Sequence, residues 1–493
     1  MRVNLSSKKL WDKWFVLKEG KLALSEKLAH YARDLSFTDL SSEEVHGVKR
    51  FILDTLACAV GGYDGDSSKI IRSMVEELGG PRESTVVGCG TKVPCANAAL
   101  ANGAMVRYLD YNDSYLKMTE KFFTGWHPNE LIPAALAIGE RQHVNGRDLI
   151  TAVALSYEII GRFVDSITVK SLSNRGWHMA TLAGFVVPLY VGKLLKLTQE
   201  QMVNAIGIAG THTPTLGAID APGEEYNMTK NIGVPFVARN SIIAALLAQK
   251  GFTGPKRVIE GNRGIIESVL AGDFDTSVLL KSRDYPTISQ TIMKYFPAET
   301  CAQGALTALI KLANDHNILP EQVKKIRIEV DTRGAEHIGD PAKRYPHNKE
   351  TADHSLYYLA AIAIVDRAVS VDSYTEDKFT DPTIRSLIER VTVEANPEFD
   401  TFRTGGTVHI FTTDNQQFMC RVNYPKGHFQ NPMTDEEIGE KFTILASRFM
   451  NEKQIRQIIN AVYHLEDLDD IGKLMKMLIF KNTVSGGENG EKK

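Results

Sequence analysis

The chain has 493 residues, of which 43% are hydrophobic and 24% are charged, and its formal net charge is -3 at neutral pH. This length allows two domains, and this composition is ordinary for a globular protein with a large core. The balanced charge, without a long block of Lys or Arg, argues against a nucleic-acid partner. No apolar run reaches the length of a membrane span, so we expect no membrane partner and a cytoplasmic location.

The five cysteines are scattered and no C-x-x-C occurs, which argues against iron–sulfur and zinc-ribbon sites. Residues 1–22 resemble a loosely attached leader. They contain acidic residues and lack an apolar stretch, unlike a signal peptide. Residues 482–493 are rich in Gly and charge, which predicts a disordered tail.

The remaining chain predicts a mainly α fold. Residues 23–285 carry repeated apolar stripes at helical spacing, which indicates a large all-α domain. Residues 286–425 mix helices with alternating segments such as VKKIRIEVDTR, which indicates a smaller α+β domain. Residues 426–481 are helical again, and we expect them to pack on the first domain.

A polar and aromatic interruption between two apolar helices holds the first candidate residues, which are Asp110, Asp113, Ser114 and His127. The surrounding Tyr and Trp residues favour a lined cavity over an open loop. Asp and Ser in this position also commonly cap a helix, and that structural interpretation stays open.

Further candidates lie where a polar loop meets an apolar helix. His178 follows a Gly-Trp step, and Lys230 stands at a helix start, where a lysine and backbone amides can bind an anion. Glu299 occupies a predicted N-cap. Asp353 and His354, at the start of another apolar helix, are interpreted as a capping and an interface residue. From spacing alone, each of these residues is explained as well by capping or solvation.

Together these segments resemble the MmgE/PrpD family. The resemblance covers nearly the whole chain and rests on ordered motifs: RYLDYNDSYL, GWHP, GWHMATLAGF, MTKNIGVPFVARNS, KYFPAE, ETADHSLYYLAAIAIVD and YPKGHFQNP. It implies a large helical domain with a smaller α+β lid domain. It also implies a homodimer that uses neither a metal nor another cofactor and acts on a small tricarboxylate.

The resemblance implies a hydro-lyase that dehydrates 2-methylcitrate to 2-methyl-cis-aconitate, as in the methylcitrate cycle of propionate catabolism. His127 is expected to be the general acid/base, because imidazole titrates near neutral pH. Asp110 would fix the tautomer of His127 or orient the substrate. His178 and Lys230 would bind substrate carboxylates.

Ser114, Asp113, Arg175 and Glu299 are the expected substrate-binding residues. Ser114 stands where the family usually has Thr, and Asn129 follows His127-Pro128 where the dehydratase pattern has Ser. Glu299 replaces the lid His of the decarboxylase branch, which favours the dehydratase. Asp340 lies near the place of that branch's lid Tyr, for which no equivalent is found.

The alternatives to the dehydratase are a cis-aconitate decarboxylase and a non-catalytic member that binds tricarboxylates. An isomerase or racemase on a related carboxylate shares the same proton abstraction.

Overall fold

The computed structural model describes residues 22–118, 123–280, 286–402 and 404–480. The predicted leader, apart from residue 22, and the predicted tail lie outside these ranges. Within them the fold is mainly α, with a large helical domain and a smaller α+β domain, which confirms the predicted fold class.

The helical domain is built from helices that enclose one continuous apolar core. They span Leu24–Asp34 (α1), Ser42–Gly61 (α2), Asp66–Leu78 (α3), Cys95–Tyr108 (α4), Ile132–Arg141 (α5), Gly146–Ser166 (α6), Ala183–Leu194 (α7), Gln199–His212 (α8), Gly233–Gln249 (α9), Ile265–Ser268 (α10) and Thr276–Leu280 (α11).

Helix α2 shows how the local sequence sets these boundaries. The Ser41 hydroxyl accepts the amide of Glu44, and the Glu44 carboxylate accepts the amide of Ser41, which satisfies two amides of the first turn. After the helix, a Cβ on Gly62 would lie 2.1 Å from the Met105 carbonyl oxygen. A glycine therefore allows the end of α2 to approach α4 closely.

Two short hairpins join helices of the helical domain. Strands Ser84–Thr85 (β1) and Lys92–Val93 (β2) form the first hairpin. Strands Tyr115–Met118 (β3) and Phe123–Trp126 (β4) form a second, antiparallel hairpin that the sequence analysis did not predict. Its register pairs Tyr115 with Trp126, so the candidates Ser114 and His127 stand beside each other at its open end.

The small domain packs helices on one mixed sheet. Its strands are Val323–Val330 (β5), Val391–Ala395 (β6), Gly406–Thr412 (β7) and Gln417–Val422 (β8), in the order β6-β5-β7-β8. Strand β5 runs parallel to β6 and antiparallel to β7. The helices are Gln303–Asp315 (α12), Thr332–His337 (α13), Lys349–Ala352 (α14), Leu356–Val365 (α15), Glu376–Thr380 (α16) and Pro382–Ile388 (α17).

The last helices return to the helical domain. They span Asp435–Ala446 (α18), Glu452–Tyr463 (α19) and Ile471–Met477 (α20), and α18 packs against α2. Their apolar side chains belong to the core of the helical domain. Ile288 and Met293 belong to that core too, whereas the small core begins at Ala298. The small core thus starts later than the predicted boundary at residue 286.

One described segment corrects the expectation about apolar runs. Residues Met228–Gln249, which include α9, are long and apolar enough to cross a membrane by length and composition. However, 61% of the most apolar window is buried inside the protein, as in a core helix.

Candidate functional site

A cleft of about 800 Å³ of empty space, part of it open to solvent, lies between the two domains. Four of the predicted residues line its helical-domain wall, and a fifth lines the small-domain wall. The polar lining residues of the helical domain include Arg107, Ser114, His127, His178, Tyr226 and Lys230, and those of the small domain include Glu299, Arg333, His337 and His354.

Helix N-termini surround this cleft. His127, His178 and Glu299 are N-cap residues of single 3-10 turns that continue into α5, α7 and α12. Lys230 lies within the 3-10 turn that continues into α9. Because the amide end of a helix carries partial positive charge, this arrangement attracts an anion into the cleft.

The segments that carry the two histidines contact each other and the start of α9. The Trp126 indole donates a hydrogen bond of 2.9 Å to the Met179 carbonyl oxygen. A Cβ on Gly233 would lie 3.0 Å from Cε1 of His178. A glycine at this position therefore lets α9, and with it Lys230, approach the His178 ring.

His127 is a neutral imidazole with a defined tautomer. Its Nδ1 lies 2.5 Å from the carbonyl oxygen of Asp113. A carbonyl can only accept, so Nδ1 carries the proton and Nε2 keeps its lone pair. Burial, together with the charges of Arg107 and Lys294, holds the pKa of His127 well below its usual range. His127 Nε2 therefore carries a lone pair that can accept a proton.

His178 has the opposite tautomer. Its Nδ1 accepts the amide hydrogen of Ala180 at 3.2 Å, so the neutral ring carries its proton on Nε2. Burial lowers the pKa of His178, which keeps the ring neutral near pH 7. His178 is thus suited to donate a hydrogen bond to a bound oxygen.

Lys230 presents a buried ammonium at the cleft. Its Nζ lies 2.8 Å from Oδ1 and 3.0 Å from Oδ2 of Asp353. It also lies 3.3 Å from Nδ1 of His354 and 3.6 Å from Oδ1 of Asp110. Burial lowers the pKa of Lys230, although both aspartates oppose this shift.

Asp110 stands behind the cleft and does not line it. Its φ of 50° places it in the left-handed region, directly after the C-terminus of α4. Its carboxylate accepts hydrogen bonds from Arg107 and, at 2.7 Å, from Lys294 Nζ. Burial opposes ionisation, but the charges of Lys294 and Arg107 hold the pKa of Asp110 well below its usual range.

The prediction that Asp110 fixes the tautomer of His127 is therefore wrong, since the Asp113 carbonyl oxygen makes that contact.

Asp113 and Arg175 are also absent from the cleft lining among the described residues, which corrects their assignment to substrate binding. Asp113 accepts the Tyr157 hydroxyl at 2.7 Å and the Asn129 amide at 3.1 Å, so its carboxyl group is occupied by the protein. The Arg175 guanidinium pairs with Asp273. Asp113 instead positions His127 through its carbonyl oxygen.

Ser114 and Glu299 line the cleft as predicted. The main chain of Ser114 exchanges hydrogen bonds of 2.8 and 2.7 Å with Ile292, which fixes its position next to His127. The Glu299 carboxyl group accepts the amide of Cys301. Burial raises the pKa of Glu299, although Lys294 opposes this shift.

Three buried cations at or behind the cleft, Arg107, Lys294 and Lys349, were not predicted from the sequence. We call the following six residues the buried charge network: Arg107, Asp110, Lys230, Lys294, Lys349 and Asp353. Asp353 pairs with Lys230 and, at 2.6 Å, with Lys349 Nζ. Lys294 lies in the KYFPAE motif, five residues before Glu299, and that motif was the available signal for it.

Three residues near Lys230 also have the chemistry of metal ligands. Asp110, Asp353 and His354 each offer one ligand atom, and these atoms lie within 4.8 Å of one another. The ammonium of Lys230 lies among the same atoms, 2.8 to 3.6 Å away. A protein cation thus occupies the position that such a group would offer to a metal ion.

Comparison with known proteins gives the family of the chain. The MmgE/PrpD N-terminal domain matches residues 26–277, and the MmgE/PrpD C-terminal domain matches residues 296–466. A cis-aconitate decarboxylase of Aspergillus terreus is 26% identical over 486 residues, which cover 93% of this chain and 96% of the relative.

Two further relatives represent both chemistries found in the comparison. Human cis-aconitate decarboxylase is 24% identical over 475 residues, which cover 92% of this chain and 94% of the relative. A mitochondrial 2-methylcitrate dehydratase of Yarrowia lipolytica is 24% identical over 469 residues, which cover 88% and 86%. These relatives are enzymes that act on small tricarboxylates. Since the two domain matches cover most of its length, the chain belongs to the MmgE/PrpD family.

Proposed function

We propose that this protein is a lyase that acts on a small tricarboxylate, with decarboxylation of cis-aconitate as its reaction. The observation that carries the proposal is the pairing of a neutral base, His127, with the buried cations Arg107 and Lys230 in one cleft. The decarboxylases among the relatives align over larger shares of this chain than the dehydratases do. This favours the alternative over the dehydratase that the sequence analysis put first.

Binding of the substrate would use groups already described. Arg107 and Lys230 supply positive charge, His178 supplies an Nε2 hydrogen, and the surrounding helix N-termini add partial positive charge. The negative charges of the bound substrate raise the pKa of His127, because they favour the imidazolium. His127 then takes up a proton from water and becomes an acid.

Decarboxylation then follows with one proton consumed. The bond between the allylic carbon and its carboxylate breaks, carbon dioxide leaves, and the electron pair forms a new double bond. The former double bond shifts its electrons to the carbon beside another carboxylate, and that carbon takes the proton from His127 Nε2. Lys230 and Arg107 stabilise the charge that builds on the neighbouring carboxylate.

Dehydration of 2-methylcitrate is the second candidate, and Glu299 is the observation that favours it. Because burial raises its pKa, Glu299 can hold the proton that a leaving hydroxyl group needs. His127 Nε2 would remove the proton next to a carboxylate, the double bond would form, and the hydroxyl would leave as water with the Glu299 proton. This reaction releases no gas.

Product analysis separates the two candidates. The protein is incubated with cis-aconitate, 2-methylcitrate and citrate, and carbon dioxide and the unsaturated acids are measured together. Gas and a five-carbon unsaturated dicarboxylate from cis-aconitate would support the decarboxylase. Unsaturated product from 2-methylcitrate without gas would support the dehydratase. Binding of all three acids without any product would overturn both and leave a non-catalytic binding protein.

A homodimer, which the family resemblance implied, is likewise a proposal. Helix α9 exposes Phe236, Ile243 and Leu247 at helical spacing on one face, and exposed Phe252 follows the helix. An apolar face of this kind is typical of a protein interface. Sedimentation at micromolar concentration tests the proposal, and Phe236→Glu should lower the dimer fraction. The cytoplasmic location stays a prediction.

A further inference from the structure

Tyr226 lies in the loop between α8 and α9 of the helical domain, but the small domain holds its backbone. The Tyr226 amide donates to Thr351 Oγ1 at 3.0 Å, and its carbonyl oxygen accepts from Asn348 Nδ2 at 2.9 Å. The residue is 2% exposed and lines the cleft. The phenol is therefore held in the cleft by contacts that do not involve its hydroxyl group.

Lys343 determines the direction of the phenol hydrogen. Its buried Nζ donates to the Tyr226 oxygen at 3.0 Å and to the His337 carbonyl oxygen at 2.7 Å. An ammonium group has no lone pair, so it cannot accept the phenol hydrogen. Within the part of the chain that the structure describes, no protein acceptor takes this hydrogen. Tyr226 thus has a donor that remains free for a ligand in the cleft.

The surroundings of this donor suit a carboxylate. The His354 ring packs edge to face on Tyr226 with 5.1 Å between the ring centroids, and the His337 ring lies at 6.2 Å. Burial keeps both imidazoles neutral by lowering the pKa of His337 well below its usual range and that of His354 to about 3. Arg333 lines the same wall and adds positive charge.

We propose that Tyr226 donates its phenol hydrogen to one carboxylate of the bound tricarboxylate, and that Lys343 is a positioning residue that orients this hydrogen. The inference rests on the proposed tricarboxylate substrate and adds a binding residue to it. The contacted carboxylate is one that the small-domain wall faces. Tyr226 would thus couple substrate binding to the contact between the two domains.

The pair should give the affinity a defined pH dependence. Burial lowers the pKa of Lys343 to about 8, although carboxylates nearby oppose this shift. Above that pH the neutral amine can accept the phenol hydrogen, which turns it away from the ligand. The charged and titratable groups that face Lys343 are Asp340, Glu299, Lys230, Asp220 and His337, and Arg333 acts on the His337 ring beside it.

The first experiment measures binding of propane-1,2,3-tricarboxylate by calorimetry. This probe has three carboxylates but neither a hydroxyl group nor a double bond, so it cannot react. Tyr226→Phe should weaken its binding about tenfold to a hundredfold, as expected for a lost hydrogen bond to a charged group. The control Tyr357→Phe also loses a buried phenol hydrogen bond, of 2.7 Å to the Gly339 carbonyl oxygen, but lies outside the cleft lining. It should leave the affinity unchanged.

Lys343→Met, alone and combined with Tyr226→Phe, shows whether Lys343 affects binding by orienting the phenol hydrogen or only by its positive charge. If Lys343 acts through the phenol, its effect should largely vanish in the Tyr226→Phe background. Wild-type affinity should fall from about pH 7 to about pH 9, and this fall should be absent in Tyr226→Phe. A fall that persists in Tyr226→Phe would mean that Lys343 acts by charge alone, which would overturn its positioning role.

The outcomes distinguish this inference from the proposed function. Unchanged probe affinity in a folded Tyr226→Phe protein that turns over a tricarboxylate would overturn the inference alone. A weaker probe affinity without turnover of any substrate would retain the binding role and reject the lyase. If wild type does not bind the probe, both proposals fail. If Tyr226→Phe does not fold, the wild-type pH dependence decides, and a constant affinity from about pH 7 to about pH 9 overturns the inference.

Discussion

The neutral residues of the cleft wall and the buried charge network are held in place in different ways, although Arg107 and Lys230 of the network also reach the cleft. On the wall, His127, His178 and Ser114 are neutral and are held by main-chain hydrogen bonds. In the network, ions such as Asp110 and Lys294 hold one another and are almost completely shielded from water. A neutral wall residue can therefore be replaced without leaving a charge unpaired, whereas a residue of the network cannot. Substitutions in the wall should affect turnover, and those in the network should affect folding as well.

The largest expected effect is on turnover, in His127→Ala. Loss of a general acid/base typically costs about 100-fold to 10,000-fold in kcat. The substitution removes the hydrogen bond between the ring and the Asp113 carbonyl oxygen but leaves no charge unpaired. The melting temperature should therefore stay close to that of wild type. The exposed His347→Ala serves as the control, and near-normal turnover in His127→Ala would remove His127 from the mechanism.

Asp110→Ala should lower the stability of the fold, whereas His127→Ala should lower turnover alone. The substitution leaves Arg107 and Lys294 without their carboxylate in a buried place. Breaking a buried ion pair in this way costs about 3–5 kcal/mol of unfolding free energy. Denaturant unfolding measures the loss, and the surface substitution Asp469→Ala should have little effect. A loss as small as that of the control would mean that the network does not stabilise the fold.

Local signals in the sequence were enough to predict much of the fold. Apolar stripes at helical spacing predicted the helices of the large domain, and alternating apolar residues predicted strand β5, Val323–Val330. Candidate residues at helix starts, such as His178 and Lys230, do line the cleft. These predictions succeeded because each signal and the structure that it specifies lie within a few residues of one another.

Ion pairs between residues that lie far apart in the chain could not be predicted from the sequence. Lys294 lies 184 residues from its partner Asp110, and Lys230 lies 123 residues from Asp353, so no spacing rule connects them. Asp113 was mistaken for a ligand-binding residue because its residue type indicates a carboxylate, whereas its carbonyl oxygen contacts His127. Every residue has a main-chain carbonyl oxygen, so the residue type does not indicate a role of this kind.

Glu130 lies at the edge of the buried charge network, and Glu130→Gln should change how the unfolding free energy depends on pH. Glu130 lies 3.3 Å from Arg107, and burial raises its pKa to about 7, above the ordinary 4.5. The folded protein therefore binds this proton more tightly than the unfolded chain does. The stabilising contribution is complete below about pH 4.5 and is lost as the pH rises to about 7, a change on the order of 3 kcal/mol.

Gln does not titrate, so the unfolding free energy of Glu130→Gln should rise relative to wild type over that pH range. Denaturant unfolding at several pH values measures this difference, which cancels the titration of other groups. The exposed Glu76→Gln should show no such trend. A difference that stays constant with pH would mean that Glu130 remains ionised in the folded protein.

Ser114→Ala should have the smallest effect on kinetics, and it tests whether a neutral residue of the cleft wall contacts the substrate. Ser114→Ala removes one hydroxyl that faces the cleft, while the main-chain bonds to Ile292 remain. We expect about a tenfold rise in KM, the cost of one hydrogen bond to an anion, with unchanged stability. Ser114→Thr keeps the hydroxyl and should stay near wild type, and the exposed Ser447→Ala is the control. If Ser114→Ala instead lowers the melting temperature and leaves KM unchanged, Ser114 belongs with the residues that hold the fold, and the wall contacts the substrate without it.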